Sequence, residues 1–174
     1  MKRILFSLYL LLISISLLAS DKFAVADIFT DHMVLQRNTK VKIWGEATDG
    51  SQVEVRFEGQ NRKAVVTKGK WMVELSTGDA GGPYELEIVN GNHKIGFKDV
   101  FVGDVWLAGG QSNMEFMLKQ ASTARDDIPR AADQQLRLYD MKARWRTNAV
   151  EWEATVLDSL NHLQYYKDTR WTVC

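Results

Sequence analysis

The sequence predicts a β-sandwich-like domain followed by the beginning of an α/β domain. Three observations carry this reading. Between about Phe23 and Lys98 the chain breaks into short runs that alternate apolar and polar residues. Turn-forming glycines and asparagines separate those runs. After Asp99 the alternation gives way to an almost continuous apolar run, then glycines, then a helical spacing.

The chain opens with Lys2 and Arg3, an apolar run from Ile4 to Leu18, and the small residues Ala19 and Ser20, the layout of a secretory signal peptide over residues 1–20. Cleavage is expected after Ser20, because a cut after Ala24-Val25-Ala26 would remove residues that read as the first strand. The apolar run is shorter than the roughly 20 residues a bilayer-spanning helix needs, and no second one follows. No membrane span is expected in the mature chain, which is addressed to the periplasm or the exterior. A lipid anchor would need a cysteine just past the apolar run, and the only cysteine is Cys174.

Residues 21–98 are assigned to the β-sandwich-like domain. Strands are predicted at Lys40 to Trp44, Gln52 to Phe57, Lys63 to Thr67, Lys70 to Leu75 and Tyr84 to Val89. Asp49-Gly50, Glu58-Gly59, Lys68-Gly69, Gly81-Gly82-Pro83 and Asn90-Gly91 supply the turns between them. The residues on one face, Val41, Ile43, Val53, Val55, Phe57, Trp71, Val73, Leu75, Leu86 and Ile88, are the expected core.

Residues 99–174 are assigned to the α/β part. Val100-Phe101-Val102 and Val105-Trp106-Leu107-Ala108 read as a strand buried on both faces. Asn113 to Gln120 places Met114, Met117 and Leu118 at helical spacing, and Leu136 to Tyr139 alternates again. A short helix is expected from Val156 to Gln164. One strand, one helix and a second strand cannot bury a doubly wound sheet, so this part is expected to be incomplete.

Composition narrows the function. Lysine plus arginine equal aspartate plus glutamate at 22 each, so no basic field attracts nucleic acid. A single cysteine rules out an internal disulfide, which leaves stability to an apolar core drawn from 45% hydrophobic residues and six tryptophans. No cluster has metal-ligand spacing, no glycine-rich phosphate loop fits, and the tryptophans are too scattered for base stacking. No cofactor or metal is predicted.

The chemically informative stretch is Gly103-Asp104-Val105-Trp106-Leu107-Ala108-Gly109-Gly110-Gln111-Ser112-Asn113-Met114-Glu115. Gly109 and Gly110 would turn the chain at the carboxyl end of a strand, where α/β sheets bind ligands, and expose the Ser112 hydroxyl. Backbone N–H groups at Ser112 and Asn113 would open a helix and suit the oxyanion of an acyl-transfer intermediate. Ser112 or Asn113 also suits a plain N-cap, and turn chemistry alone favours the cap.

Gly110-Gln111-Ser112-Asn113-Met114 resembles the nucleophile block of the sialate O-acetylesterase family, within the SGNH hydrolase superfamily. The resemblance extends through Phe29-Thr30-Asp31-His32-Met33-Val34-Leu35-Gln36-Arg37, Ile43-Trp44-Gly45, Gly82-Pro83-Tyr84-Glu85-Leu86 and Val102-Gly103-Asp104-Val105-Trp106-Leu107. It implies a flavodoxin-like three-layer hydrolase domain after the β-domain and removal of O-acetyl groups from sugars. It also implies Ser112 as nucleophile, with Gly110, Gln111 and Asn113 supporting the turn and the oxyanion. The family's catalytic Asp-x-x-His block and its later oxyanion donors have no match here. His32 and His93 read as surface turn residues. Asp158 and His162, four apart, read as an exposed helical pair. Without a base a serine hydroxyl is a weak nucleophile, so this chain by itself is expected to have little activity.

Two other readings stand beside the esterase. The β-domain would be a carbohydrate-binding or structural module if Trp44 and Trp71 were exposed on one face to stack on sugars. An esterase of this kind could equally take acetylated xylan, since nothing in these residues separates plant polysaccharide from sialic acid.

Overall fold

The computed structural model describes residues 22–110, 112–114, 116–140 and 170–174. The region 1–20 read as a signal peptide and the helix expected from Val156 to Gln164 lie outside them. Eight strands come first: β1 Phe23–Val25, β2 Val34–Gln36, β3 Lys40–Ala47, β4 Gln52–Phe57, β5 Gln60–Val65, β6 Lys70–Ser76, β7 Gly81–Asn90 and β8 His93–Gly103. Then come 3₁₀ turns at Ser112–Met114 and Leu118–Gln120, helix α1 at Ala124–Asp127, a 3₁₀ turn at Ile128–Arg130, and strands β9 Arg137–Tyr139 and β10 Trp171–Val173. No helix among the described residues is long and apolar enough to cross a membrane.

The strands form a three-stranded sheet ordered β1-β3-β6, a five-stranded sheet ordered β2-β8-β7-β4-β5, and a β9-β10 pair. Within the larger sheet β2 runs parallel to β8 and the other pairs are antiparallel. The period-two pattern explains why the two sheets share one core. Ile43, Trp71, Val73 and Leu75 come from the smaller sheet, and Val53, Val55, Phe57, Leu86, Ile88, Val100 and Val102 from the larger. Each such side chain withdrawn from water contributes about 1.5–3 kcal/mol. Met33 and Leu35 of the β2 region are buried in the same cluster. Between β4 and β5, Glu58 and Gly59 have φ of 46° and 73°, the two positive values that a type I′ hairpin turn demands.

Predicted and observed strands agree closely in β4 and β6. The run expected at Lys63 to Thr67 is instead β5 at Gln60–Val65, with Thr67 reduced to an isolated bridge to Lys70. Of the expected core, only Val41 is partly rather than fully buried.

The change of pattern near Lys98 has a local cause. Strand β8 runs through residues 98 and 99, and Val100 and Val102 belong to the same sheet as β7. Leu86 faces Phe97 while Tyr84 faces Val100, so β8 carries one extra residue between these partners. Asp99, with φ 54°, lies in that bulge. A bulge reverses which parity points inward: Phe97 packs against the core before it, Val100 and Val102 lie in the core after it.

The expected buried strand at Val105 to Ala108 is not formed. Trp106 and Leu107 are 89% and 94% exposed, because no strand or helix among the described residues covers them. The helix expected over Asn113 to Gln120 is replaced by the two 3₁₀ turns, with Met114, Met117 and Leu118 exposed. Strand β9 falls where Leu136 to Tyr139 was read as a strand, but it pairs antiparallel with β10 rather than entering a parallel sheet.

Candidate functional site around Ser112

Ser112 sits on the segment that leaves the five-stranded sheet at Gly103. It opens the 3₁₀ turn Ser112–Met114, and Asn113 is exposed. The first N–H groups of such a turn have no acceptor within it. Gln111 and Glu115 lie outside the described residues.

Neither Gly109 nor Gly110 adopts the positive φ that a glycine-dependent turn would use. A Cβ at Gly109 would meet open space, whereas at Gly110 it would lie 3.1 Å from Met114 Cγ. A side chain at position 110 would press on the exposed Met114 side chain, which would have to shift slightly, whereas one at position 109 would meet no neighbour.

The segment is tied to the β-domain where it starts. Val105 N–H donates to Gln36 Oε1 at 2.8 Å, and Arg37 Nε donates to Asp104 Oδ1 at 2.8 Å. Arg37 N–H also donates to the Gly103 carbonyl at 2.9 Å. The Arg37–Asp104 pair is solvent-exposed, so it alone contributes at most about 1 kcal/mol. The parallel register Val34↔Phe101, Leu35↔Val102 and Gln36↔Gly103 brings these groups together.

A second cluster lies where the chain returns. His32 Nδ1 donates to Asp99 Oδ2 at 2.7 Å, and Arg137 Nη2 donates to the same oxygen at 3.2 Å. The Arg137 side chain is 3% exposed, and its guanidinium lies over the Phe101 ring, 4.6 Å from the centroid. Its Nη1 donates to the Gln134 carbonyl, while Nε is buried without a hydrogen-bond partner among the described residues; the ring face offsets part of that cost. The His32 hydrogen bond, then the charge of Arg137, holds the Asp99 carboxyl below its ordinary range, against partial desolvation that pushes it up. Trp171 adds two anchors, its N–H to Thr30 Oγ1 at 3.2 Å and its indole N–H to the Ile28 carbonyl at 2.9 Å.

These contacts revise the reading of His32, which is a partnered, partly buried residue rather than a free surface histidine. His93 lines a surface hollow of about 580 Å³ with Ser51, Glu54, Asn90 and Asn92, and no residue of the Ser112 block lines it. Asp158 and His162 lie outside the described residues. Among the described residues no cluster of three metal-ligating side chains forms. Trp71 is 3% exposed in the core and Trp44 is half-exposed, so the two rings make no shared stacking face. Gln36, Arg37, Asp99 and Arg137 were not legible as site neighbours. Two of them lay in the family-like run ending at Arg37, which was the available signal.

No protein-family model matches the chain. It is similar to sialate O-acetylesterase from Pongo abelii, with 30% identity over 167 residues, covering 83% of this chain and 32% of that protein. Sialate O-acetylesterase from Rattus norvegicus is 33% identical over 147 residues, covering 77% of this chain and 27% of that protein. Among solved structures, a carbohydrate acetylesterase from Xanthomonas citri is similar at a TM-score of 0.71 and 30% identity, over 86% of this chain and 32% of that chain. The chain thus spans about a third of the length of the curated relatives it matches.

Proposed function

We propose that this chain, which is similar to the N-terminal portion of the sialate O-acetylesterases, supplies the nucleophile of a secreted carbohydrate O-acetylesterase. The observation that carries this is the block Gly110-Gln111-Ser112-Asn113-Met114 just downstream of β8, in a chain 30% or more identical to enzymes with that name. Ser112 Oγ attacks the acetyl carbonyl of an O-acetylated sugar, and its proton passes to a general base. The carbon–oxygen bond to the sugar breaks, the sugar leaves as the free hydroxyl, and acetyl-serine remains. Water then attacks that ester, releasing acetate and restoring the hydroxyl. Gly110, Gln111 and Asn113 shape the turn, and the Ser112 N–H serves the developing oxyanion. The base and further oxyanion donors are assigned to sequence outside these 174 residues.

The substrate class is an acetylated carbohydrate, which the similarity to a sialate O-acetylesterase and to a carbohydrate acetylesterase supports and which leaves sialic acid and plant polysaccharide equally open. Export follows from the basic start at Lys2 and Arg3 and the apolar run Ile4 to Leu18. The stacking-module reading loses its main support, because the Trp71 ring is in the core.

The test is hydrolysis of p-nitrophenyl acetate and of an O-acetylated sugar by this chain, by a version extended downstream to the length of the relatives, and by Ser112→Ala of each. Turnover is expected from the extended wild type alone. An extended protein that hydrolyses no acetyl ester, or keeps full activity after Ser112→Ala, overturns the proposal.

A further inference from the structure

Ser112 aside, no described residue between Asp104 and Leu136 is buried. The loop that carries Ser112 therefore has no core of its own, and its geometry must be imposed at its ends. Both ends are held by one short stretch of the β-domain. Gln36 and Arg37 grip Val105 and Asp104 where the loop departs. His32 grips Asp99, which in turn holds Arg137 where the loop returns. Met33 and Leu35, buried beside these polar residues, fix the stretch to the core; within β2 alternation turns Gln36 away from the Leu35 side, and Arg37 follows the strand's end.

We propose that His32, Gln36 and Arg37 are positioning residues of the esterase: the stretch from His32 to Arg37 is a two-ended clamp that sets where the Ser112 loop stands on the β-domain. This rests on the reading of Ser112 as nucleophile. The clamp acts through the loop. Its role is to keep the serine within the small displacement that acyl transfer tolerates, since an error near 1 Å can cost about a hundredfold in rate.

Two backbone features set the clamp apart from ordinary surface pairing. His32 and Asp99 both have positive φ, 66° and 54°, a conformation uncommon outside glycine. Asp99 owes its place to the β8 bulge, which aims its carboxylate at both His32 and Arg137. Lys98 N–H donates to Asp31 Oδ1 at 2.8 Å and His32 N–H to the Lys98 carbonyl at 3.1 Å, bracing the two strained positions against each other.

The test is amide hydrogen exchange on the 174-residue chain, comparing wild type with the double variant Gln36→Ala/Arg37→Ala and with Asp99→Asn. Asparagine keeps the shape of Asp99 and tolerates its backbone. Exchange of the Val105 amide is expected to rise about fivefold in the double variant, the effect of losing one net hydrogen bond, while amides of Ile43 and Val73 stay within about twofold of wild type. In the downstream-extended protein the double variant should lower kcat about tenfold or more with KM within about twofold, and Arg37→Lys, which keeps the charge, should restore part of kcat. Unchanged exchange at Val105, or an equal rise throughout the β-domain, overturns the clamp. So does a loosened loop with kcat intact. Loss of activity on Ser112→Ala checks the nucleophile separately, so failure of one reading is distinguishable from failure of the other.

Discussion

His32 Nδ1 lies 2.7 Å from Asp99 Oδ2, joining two left-handed residues that stand 67 positions apart in the chain. The bond sits between the turn before β2 and the bulge of β8, and the same carboxylate oxygen takes Arg137. Asp99 therefore balances one buried cation and one imidazole while the backbone on both sides is constrained.

The pH dependence follows from that placement. Because its partners hold the Asp99 carboxyl below its unfolded value, the stabilisation is fully present above the unfolded pKa, about 3.9. It is lost as pH falls through the lower folded value. Urea unfolding from pH 7 down to pH 3 should show wild type more stable than Asp99→Asn by about 1 kcal/mol near neutrality. That gap should shrink below about pH 4. A gap that widens on acidification contradicts the assignment.

The core predicts a large and local cost. Phe57 is 1% exposed and stacks edge-on against Tyr84 at 5.7 Å. Phe57→Ala should lower unfolding free energy by about 3–5 kcal/mol, read from the denaturant midpoint.

Two glycines in strands should behave oppositely. A Cβ at Gly45 would lie 2.1 Å from the Ala24 carbonyl oxygen and 2.8 Å from Trp71 Cζ2, whereas at Gly96 it would meet nothing within 4 Å. Gly45→Ala should cost about 1–3 kcal/mol, since β1 or the Trp71 ring must move. Gly96→Ala should stay within about 0.5 kcal/mol of wild type. Thermal unfolding of both variants, run side by side, checks the contrast.

The fold was legible wherever alternation ran undisturbed. Strand β4 was read to the residue because Val53, Val55 and Phe57 alternate with polar neighbours and a type I′ turn follows. At Asp99 one extra residue inverted the parity of β8, and an inverted parity in one dimension looks the same as a new element. The run Val105 to Ala108 was misread for a different reason: a continuous apolar stretch signals burial, but burial needs elements to provide it, and Trp106 and Leu107 stand in solvent. Ser112 was visible through its sequence block alone. The clamp was invisible because Gln36 and Val105 are 69 positions apart, and only the parallel pairing of β2 with β8 brings them together.

Exposed Trp106 and Leu107, with Phe116 and Met117 also exposed nearby in sequence, predict self-association of the isolated chain. Trp106→Ser/Leu107→Lys should shift the chain toward monomer in light scattering at equal concentration. An unchanged mass distribution would contradict this account of the segment.

Covalent labelling is the most direct measurement of the central claim. A fluorophosphonate probe should modify the downstream-extended protein on the peptide containing Ser112, with one adduct per molecule found by mass spectrometry. The label should be absent from Ser112→Ala and weak on the 174-residue chain, which would lack the activating base. An extended protein that hydrolyses acetyl esters yet carries the label on another serine would contradict Ser112 as the nucleophile.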